Sequence, residues 1–160
     1  GAGLQRLVAE RGGAGEAGGG LGRLRVDGDE AAFEVGGGVA WVEGEAFLLR
    51  RAIGNLLANA LDFSPEGGLV RVELLQRSRG VDIVVRDQGP GIPDYADARV
   101  FEKFYSLARP HSNKKSTGLG LPFVKEIAEL HHGRVALRNG DGGGAVATLS
   151  LPAIEAPPVA

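Results

Sequence analysis

Between Glu45 and Leu151 the apolar residues keep switching between helical and strand spacing, and this alternation constrains the fold more than any other feature of the chain. Phe47, Leu48, Ile53, Leu56, Leu57, Ala60 and Leu61 recur at the spacing of a helix with one buried face, and Ser64-Pro65 stops it, because the residue before a proline is driven out of the helical region. Leu69 to Leu75 and Val81 to Val85 then alternate or run apolar on either side of a turn-like Gln76 to Gly80, which predicts an antiparallel strand pair. Asp94 to Tyr105 is short and helix-like. Gly118 to His132 returns to helical spacing, with Leu121, Val124, Ile127, Ala128 and Leu130 available to a core and Gly133 as its cap. Arg134 to Asn139 and Ala145 to Leu151 flank a glycine-rich turn and predict a closing hairpin. Upstream, Leu24 to Val26, Ala32 to Val35 and Val39 to Val42 are strand candidates, whereas Leu4 to Glu10 has a short helical pattern. The class expected is α+β, a two-layer α/β sandwich with a sheet packed on helices.

A chain of 160 residues fits one domain, and a domain of this size buries about 68–70% of the surface its unfolded chain exposes. The expected organisation is a remnant linker or end of a preceding element at 1–22, one domain at 23–152 and a tail at 153–160. The chain opens on Gly1 and contains no methionine, so it reads as a piece of a longer protein. A formal net charge of −2 supplies no broad basic field for nucleic acid or acidic lipid, so any anion site must be local. Cysteine is absent, which removes disulfides and thiolate metal sites. No apolar run approaches the roughly 18 residues of a membrane helix.

Four constellations carry chemistry. Asn55 and Asn59 lie four apart, on one face of the first helix and about 5–6 Å from each other at the β-carbons. An amide oxygen there can ligate Mg2+, which takes oxygen ligands and keeps phosphates and waters in its shell; taken alone, such a pair is more readily a solvent-facing or capping feature. Asp87-Gln88-Gly89-Pro90-Gly91-Ile92-Pro93 follows a strand directly. A carboxylate at a strand end can accept a hydrogen bond from an exocyclic amine, and glycines let a flat ring approach, although a plain turn has the same composition. Gly118-Leu119-Gly120-Leu121 opens a helix, where free N–H groups and the helix dipole favour an anion. It matches neither a Walker A loop nor a dinucleotide fingerprint. Lys103, Arg109, His111, Lys114 and Lys115 gather just before it, as phosphate-binding groups, a solvated loop, or both. Each signal alone is modest; their order along the chain, each on the element where its chemistry would work, is what points to a nucleotide.

In that order the chain resembles the catalytic ATP-binding domain of sensor histidine kinases, in the superfamily shared with DNA gyrase, the Hsp90 chaperones and MutL. Asn55 to Asn59 is similar to the family's N box, Asp87 to Gly91 to its first glycine box, Phe101-Glu102-Lys103-Phe104-Tyr105 to its F box, and Gly118 to Gly120 to its second glycine box. The resemblance implies a mixed, mostly antiparallel sheet packed on helices, with ATP and Mg2+ as cofactors. It implies that Asn59 ligates Mg2+, that Asn55 sits beside the phosphates, that Asp87 takes the adenine amino group, and that Phe63 lies where relatives place a tyrosine against the base. Gly89, Gly91, Ile92, Lys103, Thr117, Gly118, Leu119, Gly120 and Leu121 would complete the pocket. Asp62 departs from the family, which often has a basic residue there; Lys114, Lys115 and Arg109 are the candidates to replace that phosphate contact, with Lys114, nearest the second glycine box, preferred for the γ-phosphate.

The resemblance also separates kinase from ATPase. In the gyrase-like branch a glutamate four residues before the Mg2+ asparagine is the general base, and here that position is Asn55, whose amide accepts no proton near neutral pH. The family's nucleophile is instead a histidine on a preceding helical hairpin, followed by an acidic residue. His111, His131 and His132 lack that neighbour, so all three are assigned structural or solvent roles and the acceptor must lie outside this chain. The partners implied are that histidine-bearing dimerisation domain and a response regulator, with no nucleic acid. The chain itself would be a monomeric, cytoplasmic domain of a homodimeric inner-membrane sensor. The rivals are a nucleotide-binding signalling module without phosphotransfer and a gyrase-like ATPase.

Overall fold

A computed structural model describes residues 3–8, 20–26, 29–36, 39–65, 70–92, 101 and 120–154, with side chains from Ala40 onward. Among these residues, eight strands and two helices run in the order β1 (Gly3–Val8), β2 (Gly20–Val26), β3 (Asp29–Gly36), β4 (Val39–Gly44), α1 (Ala46–Phe63), β5 (Val70–Arg77), β6 (Gly80–Arg86), α2 (Gly120–Leu130), β7 (Arg134–Asn139) and β8 (Ala145–Pro152). The main sheet has the order β2-β3-β5-β6-β8-β7. Its β3–β5 pair is parallel and its other pairs are antiparallel, the mixed and mostly antiparallel sheet that the resemblance implies. β4 leaves that sheet to pair with β1 instead, from Gly3 opposite Gly44 to Val8 opposite Val39.

β1 corrects the sequence reading. Leu4, Leu7 and Val8 have helical spacing, but a segment this short gains too few internal hydrogen bonds to offset helix nucleation, and a ladder with β4 satisfies its backbone instead. At the other terminus Ile154 donates its N–H to the Trp41 carbonyl at 2.8 Å and Ala153 donates to Arg79 at 3.2 Å, so the chain stays tied to the fold beyond β8.

The core lies between the helices and the sheet. Leu49, Ala52, Leu56, Leu57 and Ala60 form the buried stripe of α1, and Val124, Ile127 and Ala128 that of α2. Val81, Ile83 and Val85 of β6 and Leu149 and Leu151 of β8 meet them in one cluster. Two residues expected in that core lie outside it. Phe47 is 72% exposed and Leu130 68% exposed. At about 100° per residue Phe47 falls roughly 200° from Leu49, on the far side of α1, and Leu130 is the last residue of α2.

The two helices are joined at one end by His131. Its Nδ1 lies 2.7 Å from the Ile127 carbonyl and its Nε2 accepts the Glu45 N–H at 3.0 Å. These partners require a neutral ring with the proton on Nδ1. Gly44 is where the ring needs space, since a β-carbon there would run into His131 Cδ2. The structural role assigned to this histidine is thus a concrete one.

The end of α2 also differs from expectation. His132 donates to Glu129 at 3.1 Å and Gly133 to Ala128 at 2.7 Å, the hydrogen bonds of a Schellman motif. The left-handed residue is therefore His132, at φ 60, one position before the glycine. Gly133 is small for a different reason: a β-carbon there would collide with the Ser150 carbonyl. His132→Gly is expected to stabilise the domain by about 1 kcal/mol by removing left-handed strain, a rise of roughly 2–4 °C in thermal midpoint. A melting curve with no rise would mean that the His132 ring makes contacts that offset the strain.

Candidate functional site

The site is built where three segments converge beside the open side of α1. α1 carries Asn55, Asn59, Asp62 and Phe63, all half-buried. The helix ends where expected, with Ser64 extended at ψ 142 before Pro65 and its N–H returned to the Ala60 carbonyl at 3.0 Å. The loop from Asp87 to Ile92 leaves the end of β6, a strand buried on both faces, and so starts from a fixed point. The first turn of α2 brings Gly120 and Leu121.

Asp87 is the most constrained of the site residues, at 8% exposed. Its Oδ1 accepts the N–H groups of Gly89 at 2.9 Å and Ala145 at 3.1 Å, while its own N–H donates to the Ala145 carbonyl at 3.0 Å. A carboxylate held through one oxygen by two backbone donors has a fixed direction, and among the described residues no hydrogen-bond donor engages Oδ2. That oxygen can accept from a base amine.

Glycines set the distances. A β-carbon on Gly89 would strike the Phe63 carbonyl, so the loop packs directly on the end of α1. Gly91, at φ 82, lies against the Asn139 amide. Gly120 has open space where a side chain would be, among the described residues, at the positive end of α2. Asn55 reaches across to it, with Nδ2 at 3.5 Å from the Gly120 carbonyl. Ile92 is buried with Phe101, Leu121, Leu137 and Ala145 in a small second cluster, which ties the loop to the start of α2.

Asn55, Asn59, Phe63, Asp87, Gly89, Gly91, Ile92, Gly120 and Leu121 therefore sit on these three converging segments. Lys103, Arg109, Lys114, Thr117, Gly118 and Leu119 lie outside the described residues, as do His111 and Lys115. Sequence reasoning missed Asn139, Gly144 and Ala145, which hold the loop from the β7–β8 hairpin. The Asn139-Gly140 dipeptide signalled a turn and nothing about its long-range partner.

A cation would fit only with help. Among the described residues no group of three or more His, Cys, Asp or Glu side chains could hold a metal. The neutral amide oxygens of Asn55 and Asn59 suit a hard cation whose remaining ligands are phosphates and waters. No helix among the described residues is long and apolar enough to cross a membrane.

The family of histidine kinase-, DNA gyrase B- and HSP90-like ATPases matches residues 44–155, and the chain belongs to it. Within that family it is an ATP-binding catalytic domain of the sensor histidine kinase type. Sensor protein CreC of Escherichia coli (strain K12) is 50% identical over 110 residues, covering 69% of this chain and 23% of that protein. Sensor histidine kinase TmoS of Ectopseudomonas mendocina is 44% identical over 104 residues, covering 64% of this chain and 11% of that protein. Among solved structures, the mycobacterial sensor histidine kinase MprB superposes with a TM-score of 0.68 at 34% identity, covering 78% of this chain and 83% of that one. The ATP binding domain of PrrB from Mycobacterium tuberculosis superposes at 0.57 and 32% identity, covering 73% and 75%. The chain thus spans under a quarter of the length of these two curated relatives.

Proposed function

We propose that this domain binds ATP with Mg2+ and presents the γ-phosphate to a histidine on a dimerisation domain of the same parent protein, for later transfer to an aspartate of a response regulator. The observation that carries the reading is the Asp87 carboxylate, oriented through Oδ1 by two backbone N–H groups at the meeting point of α1, the glycine loop and the start of α2. In this reading Oδ2 accepts the adenine amine and Phe63 lies near the base. Asn55 and the N-terminus of α2 flank the phosphates, with Lys103, Thr117, Gly118 and Leu119 completing the pocket and Lys114 and Arg109 acting on the γ-phosphate. Mg2+ held by the Asn59 amide oxygen would neutralise phosphate charge as the terminal group departs.

The protein's own contribution is positioning and electrostatics. Asn55 cannot serve as a general base, which disfavours hydrolysis and leaves the phosphoryl group for an external imidazole. The parent is then a homodimeric membrane sensor whose catalytic domain faces the cytoplasm. A nucleotide-binding signalling module without phosphotransfer is not favoured, since the relatives matched are sensor kinases.

Calorimetric titration with a non-hydrolysable ATP analogue, with and without Mg2+, tests this. The native domain is expected to bind more tightly with Mg2+. Asn59→Ala should lose about tenfold of the Mg2+-dependent affinity, the equivalent of about 1.4 kcal/mol, while keeping its Mg2+-free affinity. Absence of binding by the native domain overturns the nucleotide reading; binding without transfer to a supplied histidine-bearing hairpin overturns the kinase reading alone.

A further inference from the structure

We propose that Asn139 is a positioning residue for the adenine end of the site, acting through the backbone of Ile92; the inference rests on the nucleotide reading above. Its side-chain oxygen accepts the Ile92 N–H at 2.6 Å and its Nδ2 donates to the Ile92 carbonyl at 3.0 Å. The amide therefore pairs with both polar groups of one residue 47 positions away, as a neighbouring strand would. Asn139 is the last residue of β7 and lies directly opposite Ala145, the first of β8. Ala145 grips Asp87 through both its N–H and its carbonyl. One cross-strand pair thus fixes both ends of the nucleotide loop, Asp87 through Ala145 and Ile92 through Asn139.

The placement matters because the loop between those ends is glycine-rich and its own geometry is soft. Gly91 allows the approach: a β-carbon there would stand 2.6 Å from Asn139 Oδ1. Ile92 carries the restraint onward, since it packs on Leu121 in the first turn of α2. Asn139 itself is solvent-exposed, so its replacement removes two hydrogen bonds without opening a cavity in the main core. Its chemistry is specific. A side-chain amide supplies one acceptor and a donor at the spacing of a peptide edge; aspartate keeps the acceptor but turns a second oxygen toward the Ile92 carbonyl, and alanine supplies neither.

The test compares the native domain with Asn139→Ala, Asn139→Asp and the exposed β7 control Arg134→Ala. Binding of non-hydrolysable ATP and GTP analogues is measured well below each thermal midpoint. Both Asn139 variants are expected to bind the ATP analogue about tenfold more weakly, the effect of losing one to two hydrogen bonds. Their preference for adenine over guanine should also shrink, because the base-facing loop is no longer held in register with Asp87. Arg134→Ala should keep native affinity and preference. A purely structural role would lower the thermal midpoint and leave the adenine preference intact, and that result overturns the proposal. If Asn139→Ala does not fold, Asn139→Asp carries the same comparison. A native domain that binds neither analogue overturns the nucleotide reading and this inference with it, whereas native binding with unchanged variants overturns this inference alone.

Discussion

Asp87→Ala is expected to weaken adenine-nucleotide binding by about 10–100-fold, the value of a hydrogen bond to a charged group, and to lower stability as well. The two effects have separate causes. Loss of Oδ2 removes the acceptor for the base amine. Loss of Oδ1 strips the half-buried Gly89 and Ala145 N–H groups of their partner, and since a fully buried donor left unpaired costs about 1–3 kcal/mol, each of these costs less than that. Asp87→Asn separates them. Its amide oxygen can still accept both N–H groups, so the fold should survive, while its NH2 meets the base amine donor to donor. Calorimetry on the asparagine variant should therefore show lost affinity at a near-native melting temperature. Native-like affinity in Asp87→Asn would remove this carboxylate from base recognition.

The second large effect is expected at the hairpin turn. Gly144 sits at φ 72, and a β-carbon on it would be driven into the Asp87 carbonyl. Gly144→Ala combines left-handed strain of about 1–2 kcal/mol with displacement of the backbone that bears the site carboxylate. A total loss of about 3 kcal/mol or more, near 10 °C in thermal midpoint, is expected. Two neighbours calibrate it. Gly143, at φ 98 but with open space, should show the strain alone when changed to alanine, and Gly142, with open space and no positive φ, should be nearly neutral. Thermal melts ranking the three in any other order would contradict the close approach to Asp87.

What was legible in the sequence follows from which interactions are periodic. The strand pairs β5–β6 and β7–β8 and the helices α1 and α2 repeat apolar residues at a spacing the eye can follow, and they lie within one or two residues of where that spacing puts them; the helix expected at Asp94 to Tyr105 lies, apart from Phe101, outside the described residues. The places of the candidate-site asparagines, the Asp87 loop and Gly120 on the fold were legible because each sits at a fixed offset on such an element. Features decided by single long-range contacts were not. β1 carries a helical pattern that its ladder with β4 overrides, and the outward turn of Phe47 depends on which residues of α1 the sheet covers. The left-handed cap at His132 was not legible, because the glycine beside it is required by the close approach of Ser150 rather than by its own backbone conformation. The Asn139 clamp leaves no periodic trace, since its partner is a backbone 47 residues away.

The His131 bridge also has an electrical consequence. The imidazole takes up a carbonyl from the closing turn of α2 and an amide from the opening of α1, so the negative pole of one helix and the positive pole of the other discharge into the same neutral ring. Among the described residues no acidic side chain lies in the first turn of α2, so its positive pole at Gly120 is left to the side of the domain where Asn55 and the Asp87 loop converge.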